Sequence, residues 1–163
     1  MRNYILLFLF LIAMNLFSDS NAPETALKHE IKLDVAYILL PAIKAEYEYL
    51  FNNVNTFGVT ALIDAFDHIE TTYQILAFTR WYFGNSLANE FYFEGHASIT
   101  GIEDSNYTQI STRRDYFGLG IALGWKFVAK NDIVLDVYVG VGRYTTYLYE
   151  FYNRSGISFG KRF

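Results

Sequence analysis

From about residue 30 to the end of the chain, apolar and polar residues alternate with a period of two. This is the pattern of β-strands whose two faces lie in different environments. Eight strands are predicted. The first, 30–40, sets Ile31, Leu33, Val35 and Tyr37 against Glu30, Lys32 and Asp34 and ends at Pro41. The second, 43–51, sets Ala45, Tyr47, Tyr49 and Phe51 against Lys44, Glu46 and Glu48. The others are 57–65, 73–84, 91–100, 117–128, 133–147 and 156–163. Asparagine-rich stretches at 52–55, 85–89 and 130–132 read as short turns, because asparagine tolerates left-handed backbone. Residues 67–72, 101–116 and 149–155 read as longer loops, so short and long connections alternate along the chain.

The sixth strand decides which face is inside. Leu119, Ile121, Leu123, Trp125 and Phe127 face one way, and Gly118, Gly120, Ala122 and Gly124 the other. On a soluble sandwich the second face would be solvent, and a glycine row there weakens a strand for no return. Inside a narrow barrel, small residues make room for long side chains from other strands. Such side chains are available: Glu30, Lys32, Asp34, Lys44, Glu46, Glu48, Asp64, Arg80, Glu94, Lys126, Asp136 and Arg162 all fall on the polar face. Seven acids against five bases predict a packed, mutually paired polar core and not an open pore, because an enclosed unpaired charge is costly. The fold class expected is all-β, an eight-stranded antiparallel up-and-down barrel with its apolar face outward.

The start of the chain gives the reason for an outward apolar face. Arg2, the apolar stretch 4–14 and the small residues Ser20 and Ala22 read as a cleavable export signal over 1–22, with cutting after Ser20 as an alternative. Residues 23–163 then form a single barrel domain. An exported chain with no later run long enough for a helical span must cross a membrane as a closed barrel, since lipid offers nothing to an unpaired strand edge. The expected location is the outer membrane of a Gram-negative cell, with outer-membrane lipid and lipopolysaccharide as surroundings.

Composition agrees. Of 163 residues, 19% are aromatic, including 14 tyrosines and 15 phenylalanines, and a bilayer interface is a place to use them. Phe51, Phe57, Trp81, Phe83, Phe91, Phe93, Trp125 and Phe127 fall at strand ends beside the short turns and predict an aromatic girdle there; Tyr116, Phe117, Tyr144 and Tyr147 predict a second at the opposite end. Two bases depart from the pattern: Arg143 and Lys161 fall on the apolar face, through a bulge or as side chains that snorkel to the interface. A net charge of −4 makes nucleic acid an unlikely partner. With no cysteine there is no disulfide, thiolate metal site or cysteine-linked lipid anchor.

Candidate chemistry is sparse. Glu94, His96 and Ser98 alternate on one face of the fifth strand as an acid, a base and a nucleophile would. Same-face neighbours on a strand are about 6–7 Å apart, which is long for direct proton transfer. A lumen hydrogen-bond network is therefore the preferred reading. His29, His68 and His96 have no ligand spacing, Gly140 and Gly142 precede no helix, and neither metal nor cofactor is expected. The remaining candidates for recognition are loop residues Arg113, Arg114, Tyr149 and Tyr152.

Over the whole expected mature chain, from the opening KLDVAYILLPAIKAEYEYL to the ending GISFGKRF, the sequence resembles the small eight-stranded outer-membrane barrels of the OmpX-like and OmpA-transmembrane-like group, in particular short single-domain members of unassigned function. That resemblance implies recognition by the barrel-assembly machinery through Phe163 with Phe159 on the same face, although Lys161 stands where an apolar residue is expected. The His-x-Ser of the fifth strand is similar to the motif of PagL-like lipid A deacylases, but Ile99 replaces their asparagine and alternation turns His96 inward. The function expected is a structural or surface-interaction protein acting through its external loops. The alternatives are a lipid-modifying enzyme and a secreted soluble β-barrel binder.

Overall fold

The computed structural model describes residues 27–38, 42–64, 71–84, 88–104, 112–145 and 151–163. The expected export signal, Pro41, His68, Tyr147 and Tyr149 lie outside the described residues. The strands are β1 (His29–Asp34), β2 (Ala42–Leu50), β3 (Asn55–Asp64), β4 (Thr71–Tyr82), β5 (Glu90–Asp104), β6 (Thr112–Val128), β7 (Ile133–Tyr144), β8 (Phe151–Asn153) and β9 (Gly156–Arg162), with a single helical turn α1 (Val35–Ile38) after β1. No helix among the described residues is long and apolar enough to cross a membrane.

Neighbouring strands pair antiparallel all the way round. β1 through β7 pair in sequence, β7 pairs with β9, and β9 pairs back to β1. β8 and β9 form one stave. Val141 opposite Asn153 and Tyr138 opposite Gly156 lie on the same register, and the Arg154 amide between them donates to the Gly140 carbonyl at 3.0 Å. The molecule is therefore a closed eight-stranded barrel without sheet edges, which is how a β structure satisfies its backbone in lipid.

The staves are staggered. The row of paired neighbours beginning at Glu30 runs through Glu48, Gly58, Phe78, His96, Gly120 and Gly142 to Tyr152, ten residues short of Arg162, which pairs with Glu30 across the closing seam. Such a stagger tilts strands by about 35–45° and leaves an eight-stranded interior wide enough only for side chains. Glycines are placed where the filling is tightest. A Cβ on Gly142 would overlap the Tyr152 ring, and one on Gly120 would overlap the His96 imidazole.

Four boundaries differ from expectation. The first strand ends at Asp34 and not at Leu40, because the Asp34 carboxylate accepts the Ala36 amide at 3.1 Å and turns the chain into α1. The expected loop 101–116 is largely strand: Gly101 pairs with Asp115 and Asp104 with Thr112. Its polar residues occupy both faces, so it has no period-two signature. The seventh strand stops at Tyr144, where the Thr145 amide bonds back to the Phe117 carbonyl at 2.8 Å. The eighth stave starts at Phe151, inside the expected loop 149–155.

Candidate functional site

The interior is the chemically dense part of the molecule. Each strand sends alternate side chains inward, and the described acids and bases of the predicted polar face, Glu30, Lys32, Asp34, Lys44, Glu46, Glu48, Asp64, Arg80, Glu94, Lys126, Asp136 and Arg162, are all buried there. Two cations organise the centre. Lys32 Nζ lies 2.6 Å from Glu46 and 3.0 Å from Asp136, and it also pairs with Glu48. Arg80 meets the same three carboxylates at 2.6–3.0 Å and turns its Nε to Glu94 at 2.9 Å. Lys126 bridges Glu30 and Glu48, both at 2.8 Å. Lys44 reaches Asp34 at 3.2 Å, and Arg162 holds Glu30 at 2.7 Å across the seam.

Hydroxyls supply the carboxylates' remaining bonds. Tyr82 donates to Glu48 at 2.9 Å, Tyr92 to Asp136 at 2.7 Å and Tyr138 to Asp34 at 2.8 Å. Enclosed ions persist only when paired and hydrogen-bonded in this way. Glu46, Glu48 and Asp136 bring carboxylate oxygens within 4.8 Å of one another, a spacing that fits a metal ion. Lys32 and Arg80 already supply the positive charge at that point, so the residues present do not call for one.

An arginine absent from the predicted set completes the lattice of charges. Arg154 is buried, donating Nε to Glu94 at 3.0 Å and pairing with Glu46 at 3.2 Å. Residues 149–155 read as a loop, yet counting back in twos from Arg162 puts both Arg154 and Tyr152 on the inner face. Tyr152, expected on an external loop, is accordingly a correction: it points inward and is buried, because the eighth stave begins three residues before Arg154.

Above the ions, toward the end with the longer connections, Leu76, Phe78, Tyr116, Tyr144 and Tyr152 pack together with Ile102 against them. Tyr116 and Tyr144, expected in an outer girdle, belong instead to this inward plug, as their parity with Gly118 and Gly142 requires. Phe117 does face outward. At the turn end Leu50, Tyr82, Ala88, Tyr92 and Tyr138 close the interior. With both ends packed and the centre filled by ions, the lumen offers no aqueous path among the described residues.

Glu94, His96 and Ser98 sit together in this interior, all buried. His96 Nδ1 is 3.2 Å from Glu94. Neither ring nitrogen of His96 is hydrogen-bonded to Ser98 Oγ, so no base is engaged with the nucleophile. The group is also walled off from the outer surface, where a membrane lipid would have to be attacked.

The outer surface is apolar. Phe51, Phe57, Trp81, Phe83, Phe91, Trp125 and Phe127 are exposed, and Phe93 is half-buried beside Trp81, their rings 5.8 Å apart. Phe91 and Trp125 at 6.2 Å, and Trp125 and Phe127 at 6.0 Å, continue the band. Phe159 and Phe163 lie on the same outer face, and Phe163 stacks on His29 at 5.8 Å. Arg143 and Lys161 also project outward; their strands pair without a register shift, so neither results from a bulge. Arg114 is exposed on the β5–β6 hairpin, near the Tyr73 hydroxyl bond to Asp115 at 2.7 Å, and Arg113 lies beside it on β6.

A closed eight-stranded barrel with an apolar exterior and a charged interior is the outer-membrane type of barrel. No protein-family model and no curated protein matches the sequence. Among solved structures the chain is similar to the Yersinia pestis outer membrane protein Ail in a phospholipid bilayer nanodisc, at 15% identity over 84% of this chain and 99% of that one, with a TM-score of 0.47.

Proposed function

We propose that the protein is an integral component of the outer membrane of a Gram-negative cell, structural or engaged in surface interactions, and that it acts through the loops at the end away from its termini. The observation that carries this reading is the inversion of polarity: ions are paired inside, and large apolar side chains such as Phe83, Val139 and Phe151 stand outside. A secreted soluble binder would expose that belt to water, far beyond the apolar patch that soluble monomers tolerate. Solute transport is disfavoured by the filled lumen, and lipid hydrolysis by the inward burial of His96 and Ser98.

In this reading the outer face contacts outer-membrane lipid and lipopolysaccharide. The last strand, with Phe159 and Phe163, is what the barrel-assembly machinery engages, and the β5–β6 hairpin with Arg113 and Arg114 presents the surface for a partner. An epitope placed at residues 105–111 tests this. It should be detected by antibody on intact cells, while the purified protein in a planar bilayer passes no steady ionic current. An epitope reached only after the cells are lysed, or stable conductance steps, would contradict the proposal.

A further inference from the structure

Lys161 is a cation in an apolar setting. It projects outward from β9, with exposed Phe159 and Phe163 on either side of it along the strand. Across the sheet it stands opposite Ile31 of β1 and Ile133 of β7. Ile133 opens β7 directly after the turn at 130–132, so this stretch of the outer face adjoins the turn-side rim. The other base on the outer belt, Arg143, lies over the Phe151 ring at 6.0 Å. Lys161 has no ion-pair partner among the described residues. A cation facing lipid is costly unless its charge is met, and a lysine stem can carry its ammonium to the headgroups.

His29 stands beside it across the closing seam. Lys161 is opposite Ile31, and His29 precedes Ile31 by two residues on the same outer face. The two are therefore diagonal neighbours, with Cβ atoms about 7–8 Å apart. The His29 ring is held in place. It stacks on Phe163 at 5.8 Å, and its Nδ1 lies 2.7 Å from the Tyr47 hydroxyl. The His29 and Phe163 backbones exchange hydrogen bonds of 2.8 and 3.0 Å. With the Tyr47 hydroxyl donating to Nδ1, the imidazole proton sits on Nε2, which has no partner among the described residues.

We propose that Lys161 and His29 form a binding site, across the seam of β1 and β9, for the phosphodiester of a phospholipid in the periplasmic leaflet. An ammonium and an imidazole N–H both donate, and the ammonium brings positive charge, so the group they share is an anionic acceptor. Neither residue is ion-paired to a carboxylate among the described residues. The side chains around them, Ile31, Ile133, Phe159 and Phe163, are apolar. The ligand must therefore be anionic at its head and apolar in its tails, which selects a phospholipid over free phosphate. The site rests on the membrane reading above, with the termini on the periplasmic side.

Solid-state NMR recoupling between side-chain nitrogen and lipid phosphorus tests the site. The protein is placed in vesicles of phosphatidylethanolamine and phosphatidylglycerol in phosphate-free buffer. A Lys28→Gln, Lys130→Gln background leaves Lys161 as the one exposed lysine, with buried Lys32, Lys44 and Lys126 as internal references. The Lys161 ammonium and His29 Nε2 should lose signal under phosphorus recoupling while the buried lysines keep theirs. Lys161→Gln should abolish the loss at lysine, and His29→Phe, which keeps a ring on Phe163, the loss at histidine. Full signal at either nitrogen in a protein that floats with the vesicles and shows barrel dispersion, or losses that survive these substitutions, would overturn the proposal. A protein that stays out of the vesicles would contradict the membrane reading itself, and the site with it.

Discussion

Arg154 shows how much one side chain can do in an enclosed polar interior. Without it, seven buried acids would face five Lys and Arg side chains, and Glu94 would keep Arg80 and His96 beside it. Removing one member of a buried ion pair typically costs about 3–5 kcal/mol, because the other charge stays behind. Arg154→Leu is therefore expected to lower the unfolding free energy by about that much, read from the urea midpoint in lipid vesicles. Adding Glu94→Gln should recover part of the loss; a loss below about 1 kcal/mol would place Arg154 outside the network. Most other interior residues were legible from the sequence, since Lys32, Arg80, Lys126 and Asp136 lie in unbroken period-two runs. Arg154 follows the same parity, but the mixed composition of FYNRS conceals it.

At the scale of the strand, parity survived where boundaries did not. The inward faces of β2 to β7 follow the alternation, whereas α1 was unreadable because its cause is a single carboxylate-to-amide bond at Asp34. The β5–β6 hairpin was hidden because both of its faces carry polar residues, so no hydrophobic contrast marks it. The eighth stave offers a direct check. The Arg154 amide should exchange with deuterium slowly, like its neighbours in β9, because it is bonded to Gly140 in the ladder; fast exchange would restore the loop reading of 149–155. The outer face can be checked as well. Arg143→Leu and Lys161→Leu, near opposite rims, should change stability by no more than about 1 kcal/mol, whereas Ile121→Arg in the middle of the belt should cost about 2–4 kcal/mol in the same bilayer. Equal effects at all three positions would mean that lipid does not cover this face.

For the whole molecule, the distribution of polarity ties fold to location. A charged interior is closed by aromatic layers, and an exterior of Ile, Val, Leu, Phe and Trp needs lipid. The sequence conveyed this architecture because every stave repeats the same two-residue code. It conveyed nothing about catalysis beyond the Glu94, His96 and Ser98 alternation, and the barrel turns those residues into the core. The most direct test is to run an outer-membrane fraction on a denaturing gel with and without boiling. A closed barrel held by a complete hydrogen-bonded ladder and a buried ion lattice should fractionate with the membrane, stay folded in detergent at room temperature and change mobility when heated. A protein found in the soluble fraction, with one mobility under both conditions, would contradict the membrane barrel.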